Sequence, residues 1–551
     1  MHAGQQPAAG PATGRGGPAI TTLAVSTVKP GVMWTGSSTG ILYVTQDGGA
    51  HWSDVTPETI PAGSLVGVVE ASHFDPATAY AEVDRSNSGD EKPYLFRTRD
   101  YGKTWQSMVN GLPENEITGS FVRVVREDTL RRGLLFAGTE TTVYVSFDDG
   151  DHWQSLRLNL PNTSYRDLAI HGNDLIAGTY GRSFFVLDDI SLLRQLTPAL
   201  VSQLGSEGGY LFKPGDALRV RRDINMDTPL PAEVPHAQNP PEGAILYYYL
   251  KAKPAGEIKL EIYDSQNRRV RTLSSRAAPP LDEPLPPVPD YWLRKPVTMS
   301  INPGTNRVNW DLYYDDPPAL SHNWGQVMPA IDHDTPFTPQ GAFALPGTYT
   351  VKLTVDGKTS TAPLVVHEDP RIGESATAMA EMRAQFDLER KNTEGVSVSY
   401  TGYEQATQLR SQLKALGSQS LPDEVAKAVS ALDAKVAPIQ GLLSSAVSGP
   451  YGVPAYTGNP GFTGVNGAFA GLMVIVDYMS DHAPVDAQIK AYHDYCTDLD
   501  TNLALWRTVN SQELPALNDL LRKNNVKPLA PASHPSDLVC GSVPAGFPAA
   551  Q

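Results

Sequence analysis

Cysteine is nearly absent from this 551-residue chain: Cys496 and Cys540 are the only two, both towards the C-terminal end. One disulfide is open to them, but two cysteines define neither a metal cluster nor a redox compartment. No run of about 18 apolar residues occurs, which excludes a membrane-spanning helix. Basic residues are in deficit, with Lys+Arg 44 against Asp+Glu 60 and a net charge of −16, which disfavours nucleic acid and anionic membrane as partners. There is no Gly-rich phosphate loop, no His/Cys metal cluster and no Gly-x-Ser-x-Gly elbow, so no cofactor and no metal are expected. The first twenty residues, MHAGQQPAAGPATGRGGPAI, lack the apolar stretch of a signal peptide. Residues 1–19 read as a disordered Gly/Ala/Pro leader.

What the chain has is turns and repeats. Gly 47 and Pro 46 point to β-rich regions, and 40% hydrophobic residues suffice for several cores, on a prior of about 150 residues per domain. Three segments align: TQDGGAHW from Thr45, TRDYGKTW from Thr98 and SFDDGDHW from Ser146. Each reads Ser/Thr-x-Asp-x-Gly-x-x-Trp, at spacings of 53 (98 − 45) and 48 (146 − 98) residues. Each follows a strand-like run: ILYV, YLFR and VYVS. A fourth copy, Leu175 to Asp189, keeps the strands and loses the box. Strands with turn signals at a period near 50 predict four-stranded propeller blades.

Each box residue has a physical task. Gly49, Gly102 and Gly150 permit the positive φ of a tight turn. Asp47, Asp100 and Asp148 accept from turn amides. Trp52, Trp105 and Trp153 bury a ring under the turn. The acidic cluster at 148–151 is therefore a turn and not a metal or acid–base site; Asp149 and Asp151 align with Gly48 and Ala50 of the first copy.

The pattern resembles the Asp-box (BNR) repeat of sialidases, xyloglucanase-like glycoside hydrolases and the sortilin ectodomain. Over about residues 20–200, stretches such as FDPATAYAEVDRSNSGDEKPYLFRTRDYGKTW are similar to large bacterial BNR-repeat glycosyl hydrolase-like, sortilin-like (VPS10-type) proteins. Those are roughly twice as long and carry a signal peptide and further repeats, so the chain resembles their C-terminal half. The resemblance implies a secreted or periplasmic location and a glycan or protein ligand. About four blades, the last without a box, imply an open arc with an exposed edge, possible closure by an upstream or partner chain, and no closed ring from 20–200 alone.

Ligands of such propellers sit on the face opposite the boxes. There the B–C loops offer Asp84, Arg85, Asp90 and Glu91 in the second blade, Glu140 in the third, and Tyr180 and Arg182 in the fourth. The D–A loops add Glu114, Glu116 and Arg166. Paired carboxylates among Asp84, Asp90, Glu91 and Glu140 would serve glycoside hydrolysis; Arg85, Arg166, Tyr180 and Arg182 would bind. The arginine triad and Tyr–Glu pair of a sialidase cannot be assigned, so a catalytic set is unknown.

Beyond the repeats, residues 201–243 read as a Pro-rich linker. Residues 244–368 read as a β-sandwich similar to FlgD-like Ig or fibronectin III modules, with a hairpin over Ala244 to Leu273 turning at Pro254 to Gly256, and another over Gly347 to Val366 turning at Asp356-Gly357. Residues 369–530 read as an antiparallel helix bundle able to fold alone, with stripes Val425/Val429/Leu432/Val436/Ile439, Phe469/Leu472/Val476/Met479 and Ile489/Tyr492/Cys496/Leu499/Leu503/Trp506. Cys496 falls on the last stripe as core. Residues 531–551 form a tail. The fold class is thus multidomain and mainly β. Two functions stay open: a glycosyl hydrolase-like enzyme acting on polysaccharide, and a non-catalytic peptide- or glycan-binding module. An acid pair across one cleft would favour the first.

Overall fold

The computed structural model describes residues 17–114, 121–221, 227–278, 288–322, 329–372, 375–442, 461–478 and 480–530, in two compact units that divide after Ser206. Most of the leader, the tail, Glu116, Met479 and most of the loop expected after Leu442 lie outside the described residues.

In the first unit four antiparallel sheets follow one another. The first is β1 (Ile20–Val25), β2 (Met33–Ser37), β3 (Leu42–Thr45) and β4 (Ser53–Asp54). The second is β5 (Leu65–Ala71), β6 (Ala79–Asp84), β7 (Leu95–Thr98) and β8 (Gln106–Ser107). The third is β9 (Val122–Glu127), β10 (Leu135–Thr139), β11 (Val143–Ser146) and β12 (Gln154–Ser155). The fourth has three strands, β13 (Tyr165–His171), β14 (Asp174–Thr179) and β15 (Phe184–Leu187), and the short helices α1 (Ser191–Gln195) and α2 (Pro198–Leu204) follow it. The first strands pack in order, β1 on β5, β5 on β9 and β9 on β13, which is the blade packing of a propeller-like fold.

The boxes are turns with one hydrogen-bond plan. The Ser/Thr hydroxyl donates to the Asp carboxylate at 2.8–2.9 Å and accepts from the Gly amide at 2.8–3.0 Å. The same carboxylate accepts the amide of residue seven at 2.9 Å in all three copies. Positions four and five both have positive φ: Gly48/Gly49, Tyr101/Gly102 and Asp149/Gly150. The indoles of Trp105 and Trp153 donate at 2.8 Å to Val55 and Met108 carbonyls just after the outermost strand of the preceding blade. The box therefore ties blade to blade. Asp149 and Asp151 do more than fill variable positions: both pair with buried Arg97 of the second blade, and Asp149 also accepts from Tyr80 at 2.6 Å and Arg99 at 2.5 Å.

The second unit joins a sandwich to helices. One sheet is β16 (Gly209–Leu211), β18 (Ala244–Leu250) and β21 (Gly304–Trp310). The other is β17 (Ala217–Arg219), β23 (Lys358–Glu368), β22 (Gly347–Val355), β19 (Lys259–Tyr263) and β20 (Arg269–Ser274). Two expectations are corrected. Residues 209–219 are not linker but give a strand to each sheet, Leu211 and Ala217 pointing into the core. The segment from Ala244 is not a hairpin with 259–263: β18 and β19 lie in opposite sheets, so the Pro254 turn is a crossover. Both strands are apolar on alternate residues, which marks a buried face without saying which sheet owns it. The Asp356-Gly357 hairpin is present, with φ 46° and 79° at its centre.

The helices are α3 (Ala376–Gly417), α4 (Asp423–Gln440), α5 (Gly461–Asp477), α6 (Asp486–Thr508) and α7 (Leu514–Lys523). Every described residue of the three stripes is buried, and Cys496 is buried and disulfide-bonded; Cys540 lies outside the described residues. Helix α3 carries buried Gln385, Asn392, Ser399 and Gln405, so its buried face does not read as apolar. A Cβ on Gly395 or Gly402 would meet the Phe469 or Phe462 ring at 2.7 and 2.6 Å, so these glycines let α5 pack close. Met382 and Phe386 of α3 sit in the sandwich core, so residues 371–530 are not self-contained: the first helix completes the sheets beside it.

Candidate functional site

The face opposite the boxes is shaped by a repeated irregularity. In every blade the first strand carries one unpaired residue near its start: Thr21, Gly67, Arg123 and Arg166. Such bulges re-aim a side chain and recur beside functional sites. Here two of them aim guanidinium groups at the rim.

Arg123 is the hub. Its Nη1 donates to Asp84 Oδ2 at 2.6 Å and its Nε to Glu140, while its guanidinium lies 4.1 Å from the Phe121 ring centroid. Glu140 also accepts from Ser164 at 2.9 Å, and the Arg166 guanidinium stands 3.8 Å from it. Arg166 stacks over Tyr180 at 5.0 Å, and Tyr180 is 73% exposed. Asp84, Glu140, Arg166 and Tyr180 are thus brought together. Asp90 belongs elsewhere: Arg85 and Tyr94 hold it at 3.0 and 2.8 Å, and these bonds outweigh its desolvation to keep its carboxyl below the usual range. Arg85 is spent on that latch and on Ser64 and the Ala62 carbonyl. Glu91, Glu114 and Arg182 are exposed and join no cluster described here.

Below Asp84 sits Glu82, fully buried. Burial first, and the neighbouring Asp84 second, push its carboxyl well above the ordinary value. Gly67 makes room for it, since a Cβ there would meet Glu82 Oε2 at 2.2 Å. Neither Glu82 nor Arg123 was singled out from sequence. The signal was available: aligning the first strands ITTLAV, LVGVVEA, VRVVRE and YRDLAIH places Thr21, Gly67, Arg123 and Arg166 in one column.

Two carboxylates, Asp84 and Glu140, flank one guanidinium, and Arg166 beside Glu140 supplies the second positive charge. Among the described residues no group of three or more His, Cys, Asp or Glu is placed to hold a metal, and no helix is long and apolar enough to cross a membrane.

No family model matches the chain, and no curated protein matches it. Solved structures similar in part include YCF48 bound to D1 peptide, 14% identical over 46% of this chain and 68% of that one, with TM-score 0.24. YCF48 from Cyanidioschyzon merolae is 17% identical over 31% of this chain and 54% of its own, with TM-score 0.24. The GH74 xyloglucanase from Xanthomonas campestris is 13% identical over 62% of each chain, with TM-score 0.26. At these scores the likeness assigns neither family nor activity, and the propeller-like reading rests on the blades themselves.

Proposed function

We propose that the first unit is a non-catalytic binding module whose ligand is a protein. The observation that carries this is a difference between equivalent positions. Aligned on the bulge, Ile20 and Leu23 of β1 correspond to Val66 and Val69 of β5, to Val122 and Val125 of β9, and to Tyr165 and Leu168 of β13. The last six are buried against a preceding blade, whereas Ile20 is 70% and Leu23 59% exposed. At the other end of the arc Phe184 is 75% exposed and Val186 52%. The two ends are the two halves of an interface the unit already makes three times. A partner chain with a blade-like face fits there, most simply a second copy. Exposed apolar patches rimmed by polar groups mark such contacts.

The test is solution mass. Sedimentation of the full chain should show concentration-dependent association that Leu23→Glu and Phe184→Glu each abolish. A chain that stays monomeric, with the variants indistinguishable from it, would overturn the proposal.

Asp84 and Glu140 do converge, and that observation favours a second reading, glycoside hydrolysis. Both acids already accept from the one guanidinium of Arg123, whereas hydrolysis asks one carboxyl to be free to pass a proton to a leaving group. Polysaccharide turnover that Glu140→Gln removes would establish it. A secreted or periplasmic setting is part of our proposal, supported by the disulfide at Cys496, since such bonds persist in oxidising compartments. We also propose the Ig-like assignment of the two-sheet region, on its sheet pairing.

A further inference from the structure

A second site lies in the other unit, where the sandwich meets α3 and α5. An inner cavity of about 100 Å³ is walled by Arg221, Arg294, Tyr313, Phe343, Glu389 and Asp477, among others. That is room for several waters or a small ligand group. Outside it runs a groove of about 1120 Å³ whose walls include His236, Gln238, Asn239, Asn309 and Asp332. The two share Glu242, Arg294, Asp311 and Asp334, so the Arg294 ion-pair set stands where they meet.

Four buried polar atoms of these walls make no hydrogen bond among the described residues: Arg221 Nη2, Arg294 Nη1, Glu389 Oε1 and Asn309 Oδ1. The two arginine atoms are donors, Asn309 Oδ1 is an acceptor, and Glu389, whose burial pushes its carboxyl well above the ordinary value, can present either role. Their side chains are otherwise firmly held. Arg221 bonds Asp481 at 2.8 Å and Asp477 at 2.7 Å. Arg294 pairs with Asp334 and with Glu242 at 3.4 Å, and its Nη1 has only the longer ion-pair contact to Asp311 at 3.9 Å. Glu389 accepts the Phe343 amide at 3.3 Å. A buried polar atom left without a partner forfeits its hydration with nothing in return, so four of them around one cleft call for a partner.

Charge selects the chemistry of that partner. An anion would face Glu242, Asp311, Asp334 and Asp477 together. A cation would meet the open N–H groups of two arginines. A hydroxyl both donates and accepts, so a chain of hydroxyls satisfies all four atoms and brings no charge. We propose that this cleft binds a neutral oligosaccharide, with a terminal unit reaching the inner cavity past Arg294 and further units along the groove.

The full chain should be titrated calorimetrically with cellohexaose, xylohexaose and maltohexaose, and with oligogalacturonate and chitosan hexamer as anionic and cationic controls. At least one neutral hexasaccharide should bind, and both charged oligomers at least tenfold more weakly. Arg294→Met should abolish binding. Because that variant leaves three carboxylates facing one another, Asn309→Ala is the second arm: it should weaken binding about tenfold with the melting temperature unchanged. Arg123→Ala and Leu23→Glu, in the other unit, should leave the affinity as it is, which separates this site from the protein interface above. Absence of binding by all three neutral hexasaccharides, tighter binding of a charged one, or unchanged affinity in Asn309→Ala would each overturn the proposal.

Discussion

Residues 17–206 are held together by one device used repeatedly, and residues 207–530 by contacts made once. In the first unit the box closes on itself within eight residues and its tryptophan reaches the preceding blade, at Trp105 and again at Trp153. In the second, Arg219 and Asp481 meet in a bidentate pair at 2.7 and 2.8 Å across 262 residues of sequence, with Arg219 only 2% exposed. A repeated interface tolerates an incomplete copy, as the boxless fourth blade does. A single buried contact has no substitute.

The largest effects should therefore fall on the unrepeated contacts and on the buried members of the repeat. Asp481→Ala removes the charged partner of Arg219 and one partner of Arg221; a broken buried pair costs about 3–5 kcal/mol. Trp153→Ala should cost a similar 3–5 kcal/mol, since its ring is 4% exposed. Trp52→Ala, at a half-buried ring in the first blade, should cost clearly less. Calorimetric melts of the full chain decide it: Asp481→Ala should move one transition and Trp153→Ala the other. Equal losses at Trp52 and Trp153 would mean that the tryptophan acts within its own turn and not between blades.

Next comes the box carboxylate. Asp148 accepts from Ser146 and from the His152 amide, and its ring partner His152 Nδ1 lies at 2.7 Å. Its desolvation is outweighed by these bonds, which hold the carboxyl below its ordinary value. Asp148→Ala should cost about 1–3 kcal/mol. Because the folded value is lowered, the stability it contributes is present above the unfolded carboxyl range, near 4, and is lost as pH falls below it. Denaturant midpoints of wild type and variant should therefore converge in acid.

The same comparison explains what could be read from sequence. The blades were legible because the Ser/Thr-x-Asp-x-Gly-x-x-Trp pattern prints the turn, and the turn fixes the strands on either side. The helix stripes of α4 and α6 were legible because apolar residues at spacings of three and four have one geometric meaning. Strand pairing in the sandwich was not. Alternation in Ile258, Leu260 and Ile262 gives a face but no partner, so β18 and β19 read as neighbours though they lie in opposite sheets. Helix α3 hid its buried face behind Asn392, Ser399 and Gly395. At the rim, loop positions gave Asp84 and Glu140, but their common ligand Arg123 sits inside a strand, at a bulge that only the repeat alignment exposes.

Glu82 sharpens the comparison from the acid–base side. Its raised carboxyl keeps a proton in the fold that the unfolded chain releases. Its contribution to stability is thus present below the ordinary value near 4.3 and is lost as pH rises towards the folded value. Glu82→Gln keeps the shape and removes the titration. The variant's melting temperature should gain on wild type between pH 5 and pH 8. A constant difference across that range would mean that Arg123 already holds Glu82 ionised.

The smallest effect belongs to Asp151, the acid most open to a functional reading on sequence. It pairs with Arg97 Nη2 at 3.0 Å, and its side chain is 47% exposed. Arg97 is buried and keeps other acceptors when Asp151 is gone: Gln106 Oε1 at 2.8 Å, the Asp149 carbonyl, and the Asp149 carboxylate at 3.2 Å. Solvent screens the outer half of the pair, so Asp151→Ala should cost under about 1 kcal/mol, and less still in high salt. Asp149→Ala should cost more, because Tyr80, Arg97 and Arg99 all converge on it and Tyr80 is buried. The pair of variants separates two accounts of the acidic turn. If it fastens blades, the loss grows from Asp151 to Asp149 and ligand binding is untouched. If Asp151→Ala removed binding of any glycan or protein partner at an unchanged melting temperature, the cluster at 148–151 would be a site, and the account of the box as a fastening between blades would fall.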